Sequence, residues 1–403
     1  MKVLKLFVTL LLISEILLFA NEKNLKYDRY ISENKNKEFL YEYKKNDLDS
    51  LKLRDSWIAP INLSYSISRS NRLYSQEQQD EIAAIAINQP IFQSGGIYYG
   101  IKFANANRLY ANYSVDVAKR KMIKDTIALL MQIKQTSFRE KKQKLLIENA
   151  KINLKQKQEE YLSGRLDSGF LDNAIIQKNS VTQALYDIEN IKEKLVSRFS
   201  VLSDLDYTKA EIPHLKILRA KDFLDNNIVL KQKEAALKKS RYAKDVYIAK
   251  YLPKVNFTAA YNWSKSRAKN FHTETDYYNY GIRVTMPLDI NCFRDIESAR
   301  IDYLKSSVLK EDKVRELQAL FQEVMQNIKN LKKKIALSNE NKKLYKNLLS
   351  DTQELYKAGY KTSYDVALLK NSLEIQNIDT KIYEIDKQLE LLRLYEMYVN
   401  SGE

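Results

Sequence analysis

Two long stretches of the chain contain neither glycine nor proline, residues 107–161 and 294–358. In the first, Ile123, Ile127 and Leu130 recur at three- and four-residue steps, the spacing that places apolar side chains on one face of an α-helix. At about 1.5 Å per residue this helix would be about 80 Å long, which is in the coiled-coil range. Long helices of this kind have to pack side by side with other helices to be stable.

Four shorter segments have the alternating pattern of β-strands. Residues 61–68 and 255–264 place apolar side chains on one face and small polar side chains on the other, and each is followed by a second segment, at 82–92 and 278–286. Polar loops are expected between the partners, over residues 69–81 and from Lys265 onward. The sequence therefore predicts two antiparallel hairpins with strands of about ten residues.

The two halves of the chain have the same plan of two strands followed by two helices. The same residue types recur at matching spacing where the first helix of each half ends, namely Tyr161, Gly164 and Ser168 in one half and Tyr356, Gly359 and Ser363 in the other. Such ordered recurrence indicates an internal repeat. We assign residues 21–203 to the first repeat, 204–227 to a linker that contains Pro213, and 228–403 to the second repeat.

The first twenty residues have the features of a secretory signal peptide. Lys2 and Lys5 precede a mostly apolar stretch at residues 6–19, and Ala20 is a small residue at a plausible cleavage point. No later segment has about twenty consecutive apolar residues, so we do not expect a membrane-spanning helix. The single cysteine, Cys292, cannot form an internal disulfide. The chain is expected to be exported, without internal disulfide bonds.

The formal charge of +16 raises the question of a nucleic-acid partner. Basic residues alternate with acidic ones along the predicted helices and form no basic block, so we expect no nucleic-acid binding. The two histidines, His214 and His272, are isolated, and the chain has no phosphate-binding loop or metal-ligand cluster. We therefore predict a protein that is not an enzyme and has no cofactor and no bound metal.

The predicted strands have the length and alternation of a lipid-facing β-barrel wall. Trp57, Trp263, Tyr277 and Tyr278 lie near strand ends, where aromatic residues form interfacial girdles. A soluble two-layer sheet is the alternative, but the long helices are poorly suited to covering such short strands. In lipid an open sheet edge leaves backbone groups unsatisfied, so four strands must close with other copies. Three copies give twelve strands, enough for an aqueous lumen.

The second repeat contains the sequence Tyr356-Lys-Ala-Gly359-Tyr-Lys-Thr-Ser363-Tyr-Asp365. With the order of elements, this motif resembles the outer membrane efflux protein family of TolC-like channels. The resemblance implies a homotrimer with a twelve-stranded β-barrel in the outer membrane lipid, continued by a long α-helical barrel in the periplasm. It also implies a periplasmic adaptor (membrane fusion) protein and an inner-membrane transporter as partners, in a tripartite efflux or type I secretion system.

By this resemblance the two helix–helix turns, residues 162–172 and 357–365, form the periplasmic tip that closes the duct and docks the adaptor. The predicted tip residues are Tyr161, Gly164, Ser168, Asp172, Tyr356, Gly359, Lys361, Ser363, Asp365 and Leu368. Lys361 and Asp365 are expected to hold the tip shut by charge, whereas Leu368 stands where the family has a second acidic residue. The simpler interpretation is a plain helical hairpin, with glycine at positive φ and serine capping the next helix.

Asn256, Thr258 and Arg283 lie on the polar sides of their predicted strands and are expected to face the barrel lumen. An alternative to the export duct is a coiled-coil surface or periplasmic scaffold protein without transport activity. Paired alternating strands of membrane-spanning length distinguish the two, because a scaffold does not require them.

Assembly is the first testable consequence of the four-strand count. We expect the mature protein to be a homotrimer in the outer membrane, because backbone groups at the sheet edges require partners in lipid. Native mass spectrometry in detergent, together with chemical cross-linking, measures the number of copies. A stable monomer that retains its β-structure would contradict this prediction.

Overall fold

The computed structural model describes residues 27–71, 77–268 and 271–399. The predicted signal peptide, residues 1–20, lies outside them. After a short 3₁₀ turn at Asp28–Tyr30, the described elements are α1 (Glu33–Arg54), β1 (Asn62–Ser70), β2 (Gln78–Phe92), α2 (Gly96–Leu162), α3 (Ser168–Leu202), α4 (Ala220–Asp225), α5 (Ile228–Lys250), β3 (Lys254–Ala268), β4 (Phe271–Thr285), α6 (Cys292–Lys357) and α7 (Ser363–Tyr395).

The long helices are present, but α2 begins at Gly96 and not near residue 107 as predicted. The turn before it uses left-handed backbone at Ser94 and Gly95, with φ of 47° and 88°. The Gly96 amide donates to the Gln93 carbonyl at 2.7 Å, which starts the helix immediately after β2. The helix therefore includes Gly96 and Gly100, because glycine near a helix end is tolerated.

A helix that the pattern analysis did not identify, α5, precedes β3 just as α1 precedes β1. The predicted linker, residues 204–227, makes hydrogen bonds to other parts of its own unit. It crosses helices of its own unit, and the Gln388 side chain accepts a hydrogen bond from the buried Leu215 amide at 2.8 Å. The Tyr30 hydroxyl donates to the Glu211 carbonyl at 3.0 Å.

The four strands form one antiparallel sheet in the order β1-β2-β3-β4. β2, β3 and β4 are each 15 residues long, so the loops predicted at 69–81 and from Lys265 onward include residues that belong to the strands. Polar residues continue the strands because they find partners across the sheet, as in the 2.9 Å ion pair between Lys265 and Glu274. Within the described chain, the outer edges of β1 and β4 have no neighbouring strand.

The chain divides into two compact units. One comprises the described parts of Met1–Tyr41, Asp116–Ile228 and Arg315–Glu403, and its core is built from helical side chains that are at most 5% exposed. The predicted apolar positions of α2, Ile123, Ile127 and Leu130, belong to this core, which also includes Ile133, Leu317, Val324, Ile328, Ile378, Leu391 and Leu394. The apolar spacing therefore predicted the buried face correctly.

The other unit comprises Glu42–Val115 and Val229–Val314 and contains the sheet. Helix packing in this unit uses small and polar contacts. The Ser50 hydroxyl donates to the Ala104 carbonyl at 3.1 Å, and the Ser240 and Ser306 hydroxyls lie 2.8 Å apart. Small residues at these positions let the helices approach each other closely.

Among the described helices, none combines the length and the apolar character needed to cross a membrane.

The two faces of β3 give a direct test of the sheet's environment. Phe257→Lys should weaken insertion into lipid vesicles by roughly 2–4 kcal/mol if this position lies near the bilayer midplane. Asn256→Leu and the matched control Thr258→Lys, which lie on the opposite face, should insert nearly as wild type. Urea titration of the folded protein in vesicles measures the difference, and equal losses at positions 257 and 258 would argue against a lipid-facing strand.

Candidate functional site

The two helix–helix turns have the same backbone geometry. Each connection is five residues long, and Gly164 and Gly359 lie in it with φ of 73° and 82°. In the first turn the Arg165 amide donates to the Glu160 carbonyl at 2.9 Å, and in the second the Tyr360 amide donates to the Leu355 carbonyl at 2.8 Å. The Gly164 and Gly359 amides donate to the carbonyl groups of Tyr161 and Tyr356, so both turns are Schellman motifs.

Glycine is required in both turns by backbone conformation. A Cβ atom at either glycine would meet nothing within 4 Å, so there is no crowding. Left-handed backbone costs a residue with a side chain roughly 1–2 kcal/mol. The positive φ predicted for Gly164 and Gly359 is thereby confirmed and explained by local backbone sterics, while their place in a periplasmic tip stays a prediction.

The helices that leave the turns are not capped by the predicted serines. Ser168 and Ser363 are the first residues of α3 and α7, and the cap positions are Asp167 and Thr362. Thr362 and Asp365 form a capping box, in which the Thr362 amide donates to the Asp365 carboxylate at 3.0 Å and the Asp365 amide donates to the Thr362 hydroxyl at 3.3 Å. The sequence spacing Thr-x-x-Asp is the signal that could have identified this cap.

Asp365 is thus engaged within its own helix. Its pKa lies below the ordinary value, chiefly because the Thr362 amide and hydroxyl bond to the carboxylate, with a smaller contribution from the charge of Lys361. Lys361 itself is exposed. The pairing of Lys361 with Asp365 of a neighbouring copy stays a prediction, as do the tip roles of Tyr161, Asp172, Tyr356 and Leu368.

A side-chain contact that the sequence analysis did not anticipate joins the beginning of α7 to the end of α2. The Tyr364 hydroxyl donates to the Glu159 carboxylate at 3.0 Å. The Lys155 ammonium lies 5.5 Å from the centre of the Tyr364 ring, and the Tyr364 hydroxyl and then Glu159 raise the pKa of Lys155. Lys155 and Glu159 are one helical turn apart, so all three side chains meet on one surface.

This contact is the last of a series along the antiparallel helices α2 and α7. The pairs, from the turns toward the linker, are Glu159 with Tyr364, Asn149 with Asn371, Lys142 with Asp379 and Gln135 with Asp386. The amide pair is 2.8 Å apart and the ion pair 2.7 Å. The inner pairs are flanked by buried apolar residues, whereas the Glu159–Tyr364 pair is exposed, so it is the member of the series that breaks most easily.

The sheet has one polar face, to which Asn256, Thr258 and Arg283 belong, and their position in a barrel lumen stays a prediction. Asn256 lies opposite Arg283, and Thr258 lies between Asn88 and Gly281 on the neighbouring strands. The Asn256 amide donates to the Asn88 side-chain oxygen at 3.1 Å. Serine and threonine continue this polar face, including Ser64, Ser66, Ser68, Ser264, Ser266, Thr273 and Thr275.

The opposite, apolar face is exposed over a continuous band. Its members include Leu63, Tyr65, Ile67, Ile85, Phe257, Tyr261, Tyr278, Tyr280, Ile282 and Val284, with exposed fractions from 38% to 78%. The band ends at the same level on three strands, because Glu81, Lys265 and Glu274 lie side by side in the register. No described residue covers it, so the band requires an apolar environment outside the chain.

Aromatic side chains mark this edge of the band. The Trp263 indole donates to Glu274 at 3.0 Å, and the Tyr261 hydroxyl donates to Asp276 at 3.0 Å. Rings with apolar bodies and bonded polar tips are typical of a membrane interface. Tyr277 was predicted to be part of an interfacial girdle, but the register places it opposite Asn262 on the polar face.

The described residues contain no group of three or more His, Cys, Asp or Glu side chains placed to hold a metal ion. Cys292 is a free, partly buried cysteine at the first residue of α6. The candidate functional geometry comprises the helix–helix turns and the two faces of the sheet.

Comparison with known proteins agrees with this architecture. Residues 220–398 match a family described as Outer membrane efflux protein. No curated protein matches the chain by sequence.

Several solved structures have a similar fold at low sequence identity. The Campylobacter jejuni outer membrane channel CmeC has a TM-score of 0.72 at 14% identity, with 96% of this chain and 92% of that chain covered. The outer membrane protein VceC from Vibrio cholerae has a TM-score of 0.71 at 14% identity, with 92% and 94% covered. The open state of the Neisseria gonorrhoeae MtrE channel has a TM-score of 0.61 at 14% identity, with 89% and 84% covered.

These comparisons confirm the predicted resemblance and the predicted fold of one chain, a helical protein with a four-stranded antiparallel sheet. The family description also agrees with the predicted location in the outer membrane and with a non-enzymatic class of protein.

The capping box predicts a local, pH-dependent effect at the second turn. Asp365→Ala should accelerate amide hydrogen exchange at the start of α7 by about fivefold at neutral pH, since loss of a cap costs about 1 kcal/mol. Folding lowers the pKa of Asp365, so its stabilisation is present above the unfolded value of about 4 and is lost as pH falls below that value.

The difference between wild type and variant should therefore shrink in acid. Hydrogen-exchange mass spectrometry measures it, with Asp172→Ala as the matched control, because Asp172 is an exposed aspartate in the second turn of α3. If the two alanine variants exchange alike at neutral pH, the capping box does not stabilise α7.

Proposed function

We propose that this protein, whose residues 220–398 match the outer membrane efflux protein family, is the outer-membrane channel of a tripartite efflux or type I secretion system. Three copies close their sheets into a twelve-stranded barrel, and their helices continue it as a tunnel on the periplasmic side. Substrates pass through this duct from an inner-membrane transporter to the exterior.

The observation that carries the proposal is the four-stranded sheet with two unlike faces and two open edges. The exposed apolar band suits lipid, and the serine- and asparagine-rich face suits water. The edges of β1 and β4 supply the backbone groups that join one copy to the next. A coiled-coil scaffold does not account for an uncovered apolar band of this extent.

The helix–helix turns support a closing tip at the other end of the helices. The exposed bond between Glu159 and Tyr364 ties the α6–α7 hairpin to α2. For one hairpin to move away from the other at this end, that bond has to break. A hydrogen bond to a charged group is worth about 1.5–3 kcal/mol when buried and less when exposed, so the contact is weak enough to open on docking.

The partners proposed for this tip are a periplasmic adaptor and, behind it, the inner-membrane transporter. Leu162 and Tyr360 are 83% and 80% exposed in the two turns, which makes them suitable contacts for a partner protein. A photo-crosslinking amino acid at either position should capture the adaptor and identify the transporter by co-purification. Capture with equal yield at an exposed position of α1, such as Tyr41, would speak against docking at the tip.

The Glu159–Tyr364 bond predicts a leaky variant. Tyr364→Phe removes the donor and should raise single-channel conductance in planar bilayers by about twofold or more, because the lost bond is repeated in each copy and each is worth about 1 kcal/mol. Glu159→Gln should have a similar but smaller effect, since its amide oxygen still accepts a hydrogen bond.

Tyr360→Phe is the matched control, because Tyr360 lies in the same turn and is 80% exposed. Its conductance should equal that of wild type. If Tyr364→Phe also left conductance unchanged, this bond would not hold the tip closed, and closure by apolar contacts at Leu368 would be the better account.

A further inference from the structure

The polar face of the sheet contains a pair of cations near its helical end. Lys254 is the first residue of β3 and pairs with Thr285, while the next residue on the same face, Asn256, pairs with Arg283. Lys254 and Arg283 are therefore diagonal neighbours on adjacent strands, within reach of a common ligand. Asp80, the acidic residue of this face among the described strand positions, pairs with Ser266 toward the other end.

Neither Lys254 nor Arg283 has an acidic partner among the residues that the structure describes. The nearest polar group across from Arg283, the Asn256 amide, donates instead to Asn88 at 3.1 Å. Arg283 is exposed, and its guanidinium presents a planar set of N–H donors that matches carboxylate and phosphate groups.

The charges elsewhere on the sheet are arranged differently. On the apolar face, Lys265 forms a 2.9 Å ion pair with Glu274. On the polar face, Asp80 accepts hydrogen bonds from Ser266 at 2.6 Å and from Gln78 at 2.9 Å. Lys254 and Arg283 thus differ from both, because their charge is left available to a solute on the polar face.

We propose that Lys254 and Arg283 form an anion-attracting ring where the helical tunnel enters the barrel, so that the duct conducts anions in preference to cations. This proposal rests on the proposed function, in which the polar face lines the lumen and threefold assembly repeats the pair around it. Rings of arginine and lysine side chains give pores a preference for anions. The solutes favoured are small inorganic anions and molecules that carry carboxylate or phosphate groups.

Salt screens the charge of Lys254 and Arg283, so the predicted anion preference depends on salt concentration. The Debye length is about 10 Å at ~0.1 M salt and about 3 Å at ~1 M salt, so wall charges act on a passing ion far more strongly in dilute salt. An effect that originates in this ring therefore has to weaken as salt is raised.

The test uses the full-length channel in planar bilayers under a potassium chloride gradient, with the reversal potential as the readout. The wild-type channel should prefer chloride. The double variant Lys254→Gln with Arg283→Gln should lower the chloride-over-potassium permeability ratio by about twofold or more at ~0.1 M salt and by less at ~1 M salt.

Two further variants separate this ring from general charge effects. Lys265→Gln with Arg267→Gln removes equal charge from the opposite face and should leave the ratio unchanged. Asp80→Asn keeps the side-chain size and should raise the ratio, which provides a second reading if the double variant does not fold. All variants are also measured in the Tyr364→Phe background. The tip is expected to be more open in this background, so it should contribute less to the measured selectivity.

The outcomes distinguish the two proposals. The double variant and Asp80→Asn could both keep the conductance and the chloride-over-potassium permeability ratio of wild type. That result would overturn the anion ring but would not contradict the channel function. An equal shift in the control on the opposite face would also overturn it. If the purified trimer formed no conducting channel at all, the proposed function would fail, and the anion ring with it.

Discussion

Backbone hydrogen bonding at the edges of the sheet is the constraint on which the proposed assembly depends. Within the part of the chain that the structure describes, β1 and β4 each present one edge without a neighbouring strand, while β2 and β3 have a strand on both sides. Water can satisfy those edges, but hydrocarbon cannot, at a cost of several kcal/mol for each unpaired group. The apolar face of the same sheet is uncovered and suits hydrocarbon. The unpaired backbone groups at the sheet edges, however, are unfavourable in hydrocarbon. Closure with other copies resolves both demands.

The long helices α2 and α7 also need specific contacts that fix their alignment. Their buried stripes are narrow, and polar side chains such as Asn149, Lys142 and Gln135 lie next to them on α2. Apolar packing alone permits two long helices to slide past each other by a turn. A series of polar pairs at matching intervals makes one alignment of α2 and α7 more favourable than its neighbours, because a shift would leave several partly buried groups unpaired. The turns at the ends are thereby held at a defined level.

The same series of polar pairs is weakest at the turns, which is where we propose that the duct opens. Lys142 and Asp379 are partly buried and surrounded by core residues, so separating them costs more than separating Glu159 and Tyr364 in solvent. The Schellman turns keep each hairpin intact while the hairpins separate, since their hydrogen bonds are local. A tip with rigid hairpins and weak contacts between them is suited to gating by a docking partner.

The sequence by itself determined the features that depend on neighbouring residues. The buried positions Ile127 and Leu130, the alternation around Phe257 and the glycine turns at Gly164 and Gly359 follow from helical spacing, strand periodicity and backbone sterics, which act over a few residues. It also allowed the resemblance to the efflux family to be stated, because the motif of the second turn is contiguous.

Only the tertiary structure decided the features that depend on residues far apart in the chain. The strands extend beyond their predicted ends because Lys265 finds Glu274, and Tyr277 lies on the polar face because the register places it opposite Asn262. Glu159 meets Tyr364 across 205 residues of sequence. No local pattern encodes such pairs, since their stability comes from groups that meet only after the helices and the sheet have packed.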